Sequence, residues 1–281
     1  MNSTLWQAPI AGVGMGLRAC HYAYILSHLP AIPWFEVLTE NYLVKGGMVK
    51  ERLRQIRAHY PIVLHGVGLS LGSVDPLNSR YLQQLKQLII EFQPAYISDH
   101  LCWVSFAQQY FHELLPLPYT EEAIQHVVER ITAVQDFLGQ QILIENVSSY
   151  FSYEISELSE WEFINAIAQR ADCFILLDIN NIFVSAHNNG FDPAHYLQAI
   201  DKRRVKQIHL AGFSDFETHL LDTHGAVVST EVWQLYAMAL RSLGNIPTCI
   251  EWDNDIPEFP ELLREVHKAQ QLMAASHEHS L

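Results

Sequence analysis

Six ionisable side chains stand at the ends of short apolar runs. His65 closes IVLH (Ile62–His65), His100 closes AYISDH (Ala95–His100), and Glu145 closes ILIE (Ile142–Glu145). Asp178 closes FILLD (Phe174–Asp178), His209 closes VKQIH (Val205–His209), and Glu251 closes PTCIE (Pro247–Glu251). Three imidazoles and three carboxylates make a nitrogen and oxygen donor set without a thiolate. That set suits iron, manganese or catalytic zinc rather than a structural cysteine-type zinc site. If the carboxylates converge, two of them ~4 Å apart repel by about 4 kcal/mol at an effective dielectric near 20. Protonation or bound cations must offset this, and no Lys or Arg ends a run beside them. A metal centre is therefore the economical reading. After His209, Asp222-x-His224 adds a further pair, because alternate residues of an extended segment point the same way and can address one ion.

The elements that must position these residues follow from the same runs. GVGMGL (Gly12–Leu17) and WFEVL (Trp34–Leu38) bring the number of buried-strand candidates to eight, with helix-length segments between most of them. This pattern predicts a single α/β domain, a (β/α)8 TIM barrel, with its site at the C-terminal ends of the strands. One His or Glu at a strand end is more often a hydrogen-bonded or ion-paired residue than a ligand. Six of them on six strands of one barrel reverse that preference.

Helix punctuation agrees with the strands. Asn78 caps a helix to about Phe92, Thr120 opens one ending near Gly139, and Ser159-x-x-Glu162 is a capping box. Asp192-Pro193 starts another helix, Ser229 or Thr230 opens one that stops at Gly244, and Glu261 to about Met273 forms the last. The long aromatic connection from His100 to Thr120 should wall the pocket as a binding loop.

At 281 residues the chain matches one barrel, typically ~250 residues, spanning 1–281 with residues 1–10 and about 274–281 as flexible ends. His277 and His279 in that tail are expected to belong to a mobile end rather than to a metal site. The net charge of −14 disfavours a nucleic-acid partner, and no run approaches a membrane span. The start MNSTLWQAPIAG lacks the marks of a signal peptide, so a cytoplasmic location is expected. Four cysteines form no CxxC pair; Cys173 and Cys249 read as reduced core thiols, whereas Cys20 and Cys102 fall in or near top-face loops. The spacing of Gly12, Gly14 and Gly16 is not that of a dinucleotide turn. HGVGLSLGS could cradle an anion or clear space beside His65.

The segments LHGVGLSLGS, ISDHL, LLPLPYTEEAIQHVVERI, ILIENVSSY, LLDINNIFVSA, GFDP, IHLAG, DTHG and IEWDNDIP carry a specific resemblance. They resemble the multinuclear non-haem iron-dependent oxidative enzymes, formerly a domain of unknown function, from about Gly12 to the last helix. The resemblance implies a TIM barrel, two or three iron ions (Fe2+/Fe3+) and dioxygen as co-substrate. It also implies a cysteine-containing, ribosomally made precursor peptide as substrate and a small leader-recognition partner protein. Oxazolone and thioamide formation in methanobactin maturation, and cysteine β-carbon excision towards 3-thiaglutamate, are the activities of the family.

Carried over by motif, His65, His100 and a bridging Glu145 hold one iron, and Asp178, His209 and Glu251 a second that shares Glu145. Asn181, which the resemblance alone singles out, joins Asp222 and His224 around a third, more labile ion. The family's usual Arg-Pro-Glu-His-Tyr is here Arg18-Ala19-Cys20-His21-Tyr22, and its Asn-His-Gly is Asn188-Asn189-Gly190. These departures flank the pocket, lean towards the 3-thiaglutamate type of substrate, and make Arg18 and His21 candidate substrate contacts. A metal-dependent hydrolase, such as a phosphodiesterase, or an isomerase on the same barrel is the alternative. A non-catalytic iron- or copper-handling protein is a further one.

Overall fold

Eight strands that are apolar along nearly their whole length need cover on both faces, and a closed parallel barrel inside a ring of helices provides it. The computed structural model describes residues 10–107 and 109–278. In chain order the strands are β1 (Val13–Gly16), β2 (Phe35–Leu38), β3 (Ile62–Gly66), β4 (Ile97–His100), β5 (Trp103–Phe106) and β6 (Gln109–Leu115). They continue as β7 (Leu143–Glu145), β8 (Phe174–Asp178), β9 (Val205–Leu210), β10 (Ser214–Phe216), β11 (His219–Leu221) and β12 (Thr248–Ile250). The barrel closes in the order β1-β12-β9-β8-β7-β4-β3-β2, so each of the eight runs contributes one parallel strand. Every residue of β1, β3, β4, β7 and β12 is buried.

Register sets the level of the strand ends. His100 lies opposite Glu145 across β4 and β7, and Asp178 lies opposite His209 across β8 and β9. Donors that are distant in sequence therefore arrive side by side at one height of the barrel.

The helix ends form as the local chemistry requires. Asn78 accepts from the amides of Arg80 and Tyr81, and Thr120 accepts from Ala123. Ser159 and Glu162 complete both halves of the capping box, and Ser229 caps Thr230–Leu243. An additional helix, Ile179–Asn189, follows β8 directly, with Asp178 as its N-cap, ahead of the expected helix at Pro193–Ala199. The last helix, Phe259–Glu278, continues past the expected end at Met273. His279 and the side chain of His277 lie outside the described residues.

The two long connections differ from irregular loops. β5 and β6 form an antiparallel hairpin with a bulge, and β10 and β11 form a second one. Both are short and largely exposed, so their sequences lack the buried alternation that marks a strand.

Candidate metal centre

The strand-borne donors converge on Glu145, which is 1% exposed. Its Oε2 lies 3.1 Å from His65 Nε2 and 3.2 Å from His100 Nε2, and its Oε1 lies 3.1 Å from His209 Nδ1. His209 Nδ1 is also 3.1 Å from Glu251 Oε2 and 4.0 Å from Asp178 Oδ2. Three groups of potential ligand atoms result among these donors, each within 4.8 Å: His65, His100 and Glu145; Glu145, Asp178, His209 and Glu251; and His65, His209 and Glu251, which spans the other two. Glu145 belongs to the first two. The rings of His65 and His100 are held from behind, with Nδ1 at 2.8 Å from Ser98 Oγ and 3.0 Å from the Gly66 carbonyl. Each imidazole thus has one nitrogen engaged with the scaffold and the other free for the centre.

The loop-borne donors arrive by another route. His224 Nε2 lies 2.7 Å from Asp222 Oδ1, while His224 Nδ1 lies 3.3 Å from both Glu251 Oε2 and Asp253 Oδ2. The pair converges, but not through an extended backbone. His224 is left-handed, with φ 45°, and its carbonyl accepts from the Asp253 amide at 2.8 Å. Such a conformation in a non-glycine residue carries strain of order 1–3 kcal/mol and persists where the surroundings over-determine it. Gly212, just after β9, admits this loop, because a Cβ there would meet the Ala226 carbonyl oxygen at 2.2 Å. Asn181 sits in the first turn of the helix capped by Asp178, and its amide donates to the Asn146 carbonyl.

The electrostatics fit a site made for cations. Glu145 Oε2, Asp178 Oδ2, Asn181 Oδ1 and both nitrogens of His224 are buried with no hydrogen-bond partner among the described residues. Glu145 Oε2 therefore lies close to two imidazole nitrogens without hydrogen-bond alignment to either, as expected of donors aimed at a shared ion. Burial raises the carboxyls of Glu145 and Asp178, and neighbouring carboxylates add to the shift. Burial alone would lower His209 and His224, yet the surrounding carboxylates outweigh it and hold both well above the ordinary histidine range. Burial would raise Glu251, but His209 and His224 beside it outweigh that and pull it well below the carboxylate range. The carboxylates around His209 and His224 thus favour positive charge at the centre, which metal ions would also supply. The buried His, Glu and Asp groups are of a kind that could hold metal ions.

Part of this set lines a cavity of about 590 Å³ at the C-terminal end of the barrel, while Glu145, Asp178 and His209 lie buried behind it. Arg18, Cys20, His65, His100, Asn181, Asp222, His224 and Glu251 line it. Arg18 supplies the counter-ion that the strand ends were not expected to have: its guanidinium pairs with Asp253 and lies 3.9 Å from Glu251. His21 is not part of the lining. It is buried beside Phe259, with Nε2 2.9 Å from the Pro257 carbonyl, which places it in packing rather than at the mouth.

Two amides of the glycine-rich turn after His65 are engaged by carboxylates of the chain itself. Val67 N–H donates to Glu40 and Leu69 N–H to Asp99, and Gly66 leaves room for Asp99 and Tyr81. Two functional-site residues escaped the sequence reading. Asp253, two residues past Glu251, meets His224 at the centre, and Glu36, in mid-strand on β2, faces His209 from inside the barrel. Cys102, Cys173 and Cys249 are buried free thiols, and Cys20 is exposed at the mouth. No helix among the described residues is long and apolar enough to cross a membrane.

A family model described as RiPP precursor modification enzyme MbnB/TglH/ChrH matches residues 12–274. A UPF0276 protein of Acaryochloris marina is 54% identical over 260 residues, covering 92% of this chain and 94% of the relative. A UPF0276 protein of Vibrio vulnificus is 46% identical over 268 residues, covering 94% and 92%. Among solved structures, endonuclease IV from Thermus thermophilus superposes with a TM-score of 0.61 at 16% identity, covering 96% of this chain and 100% of that one. A xylose isomerase domain protein from Alicyclobacillus acidocaldarius gives 0.62 at 12% identity, covering 95% and 100%. At such identities the structural likeness concerns the barrel alone.

Proposed function

Because the chain belongs to the RiPP precursor modification enzyme family MbnB/TglH/ChrH, we propose that it oxidatively modifies a cysteine residue of a ribosomally made precursor peptide, using iron and dioxygen. The observation that carries this reading is the position of Glu145 between two donor groups, His65 and His100 on one oxygen and His209 on the other. A single buried carboxylate so placed can bridge two ions. In this reading His65, His100 and Glu145 hold one iron, and Asp178, His209 and Glu251 hold a second together with Glu145. Asn181, Asp222 and His224 hold a third, more labile ion. When bound, such a centre supplies sites for a thiolate and for dioxygen and a route for electrons between them.

The residues of the chain do the rest. Ser98 and the Gly66 carbonyl fix the imidazole rings of His65 and His100. Arg18 holds Asp253 and Glu251 at the rim and presents a cation to an incoming peptide carbonyl or carboxylate. The cavity admits a cysteine side chain with its flanking backbone while the barrel walls keep bulk water from the floor. The product of the 3-thiaglutamate type, by cysteine β-carbon excision, is favoured over oxazolone or thioamide formation by the altered Arg18–Tyr22 and Asn188–Gly190 segments. With 31 acidic against 17 basic residues, the chain suits a basic surface on a small leader-binding protein, with the pair acting in the cytoplasm.

The test begins with elemental analysis of protein purified without added metal or chelator. Two or more irons per chain, followed by dioxygen-dependent mass change of a cysteine peptide, is the expected result. Zinc or manganese without iron, persisting after anaerobic loading with ferrous ion, would replace this reading with a metal-dependent hydrolase or isomerase.

A further inference from the structure

The three imidazoles of the centre do not present the same nitrogen. His65 and His100 turn Nε2 towards Glu145, whereas His209 is reversed. Its Nδ1 faces Glu145 and Glu251, and its Nε2 lies 2.9 Å from Glu36 Oε1 and 3.0 Å from Glu36 Oε2. Glu36 is 3% exposed and sits in mid-strand on β2, with Phe35 and Val37 on the opposite face. The Gln207 amide donates to its Oε2. A carboxylate inside a barrel core is costly to bury unless matched by hydrogen bonds and positive charge, and His209 supplies the close partner.

We infer that Glu36 is a positioning residue that commits His209 to bind metal through Nδ1. A neutral imidazole has one N–H and one lone pair. A carboxylate that accepts the Nε2 proton leaves the lone pair on Nδ1 and aims it between Glu145 and Glu251. The same bond makes Nδ1 more basic and prevents the ring from turning over. Ring reversal would present a lone pair to the cluster of Glu36, His209 and Cys249, whose potential ligand atoms also lie within 4.8 Å. That cluster is the rival location for an ion. The inference rests on reading His209 as a metal ligand and adds which nitrogen binds and what decides it.

The experiment uses the full chain loaded with cobalt(II) alone, comparing wild type with Glu36→Gln and Glu36→Ala. Proton NMR of the loaded protein should show one shifted, exchangeable ring N–H for each bound imidazole. In Glu36→Ala the His209 signal should move or vanish through solvent exchange while those of His65 and His100 stay. Chelator competition should show about 10–100-fold weaker binding of one ion and unchanged binding of another. Thermal unfolding of the metal-free variants checks that they fold, and Glu36→Gln, which removes a buried charge, covers the case in which alanine does not.

Unchanged N–H signals and affinity in both variants would overturn the inference while leaving a metal centre in place. A cobalt–thiolate absorption band that disappears in Cys249→Ser would overturn it in favour of the rival cluster. Failure of the wild-type chain to bind cobalt or iron would overturn both this inference and the proposed function.

Discussion

The two sides of the candidate centre are made of different material. His65, His100, Glu145, Asp178 and His209 belong to barrel strands, and Glu251 follows the last residue of β12. Their relative heights are fixed by ladder register, as in the pairs of His100 with Glu145 and Asp178 with His209. Asp222, His224 and Asp253 lie on connections, held by a short hairpin, a left-handed residue and the close approach that Gly212 permits. Moving a strand-borne donor means breaking a sheet that is buried on both faces. Moving a loop-borne one requires only a rearrangement at the surface. The strand side should therefore bind its ions tightly and in fixed geometry, and the loop side should exchange its ion more readily.

Glu145→Ala offers the largest test of that difference. Its two oxygens face different histidines, so the variant should lose metal from two positions at once and with it all peptide-modifying activity. Asp222→Ala, on the loop side, should lose no more than one ion. Elemental analysis of the two variants, purified in parallel, reads the contrast directly. Equal metal content in both would dissolve the distinction between the two sides and remove the bridging role.

Asp178→Asn should separate binding from stability. Asp178 is fully buried, and burial together with the Glu145 carboxylate works against its charge. Replacing it with the neutral amide removes that repulsion, and Asn remains a good helix N-cap for Ile179–Asn189. The metal-free variant should be more stable than wild type by about 1–2 kcal/mol at pH 8, yet it should lose an ion. Urea unfolding with chelator present measures the first, and elemental analysis the second. A variant that is less stable without metal would show that Asp178 serves the fold before the site.

On the loop side, Gly212→Ala should displace the Asp222–His224 segment, because the added methyl meets backbone rather than a yielding side chain. The expected outcome is loss of the labile ion with the strand-borne ions retained, at a cost of about 1–3 kcal/mol in stability. Loss of every ion would mean that the loop clamps the whole centre.

The same division decides what could be read from the sequence. Strands buried on both faces are apolar throughout, so an ionisable residue at the end of a run marks where a strand leaves the core. That rule finds His65, His100, Glu145, Asp178, His209 and Glu251 without any knowledge of neighbours. Glu36 breaks no local rule either, but it lies inside its run, where a pattern along one strand cannot tell an interior barrel layer from an exposed face. Asp253 lies two residues past the end of its run and meets His224, itself in a left-handed turn that no residue type there demands. The two hairpins are invisible for a similar reason, since short exposed strands carry no burial pattern. Asp178 shows a third kind of limit, in that one residue ends a strand and caps a helix. The sequence signal for the strand hides the helix that begins immediately after it.

A control for the electrostatics lies away from the mouth. Glu160 is buried at the start of Glu160–Arg170, and burial pushes its carboxyl up to about 8 although the Tyr196 and Tyr119 hydroxyls bond to it. An acid whose pKa is raised in the folded state holds its proton more tightly there than in the unfolded chain. Its contribution to stability is fully present below the ordinary carboxylate range, near 4.5, and is lost as pH rises towards 8. The slope is at most about 1.4 kcal/mol per pH unit within that window. Glu160→Gln should flatten that part of the profile in urea unfolding from pH 5 to 8.5 and leave metal content unchanged. The centre differs because its raised carboxyls, Glu145 and Asp178, share their space with His209, His224 and Glu251, whose shifts favour the charged form instead. Metal binding should therefore stabilise the wild-type chain increasingly from pH 5 to 8, as the ligands lose the protons that compete with the ions. The same pH gain from added metal should persist in Glu160→Gln. If that gain disappears with Glu160, the pH response belongs to a buried acid outside the centre.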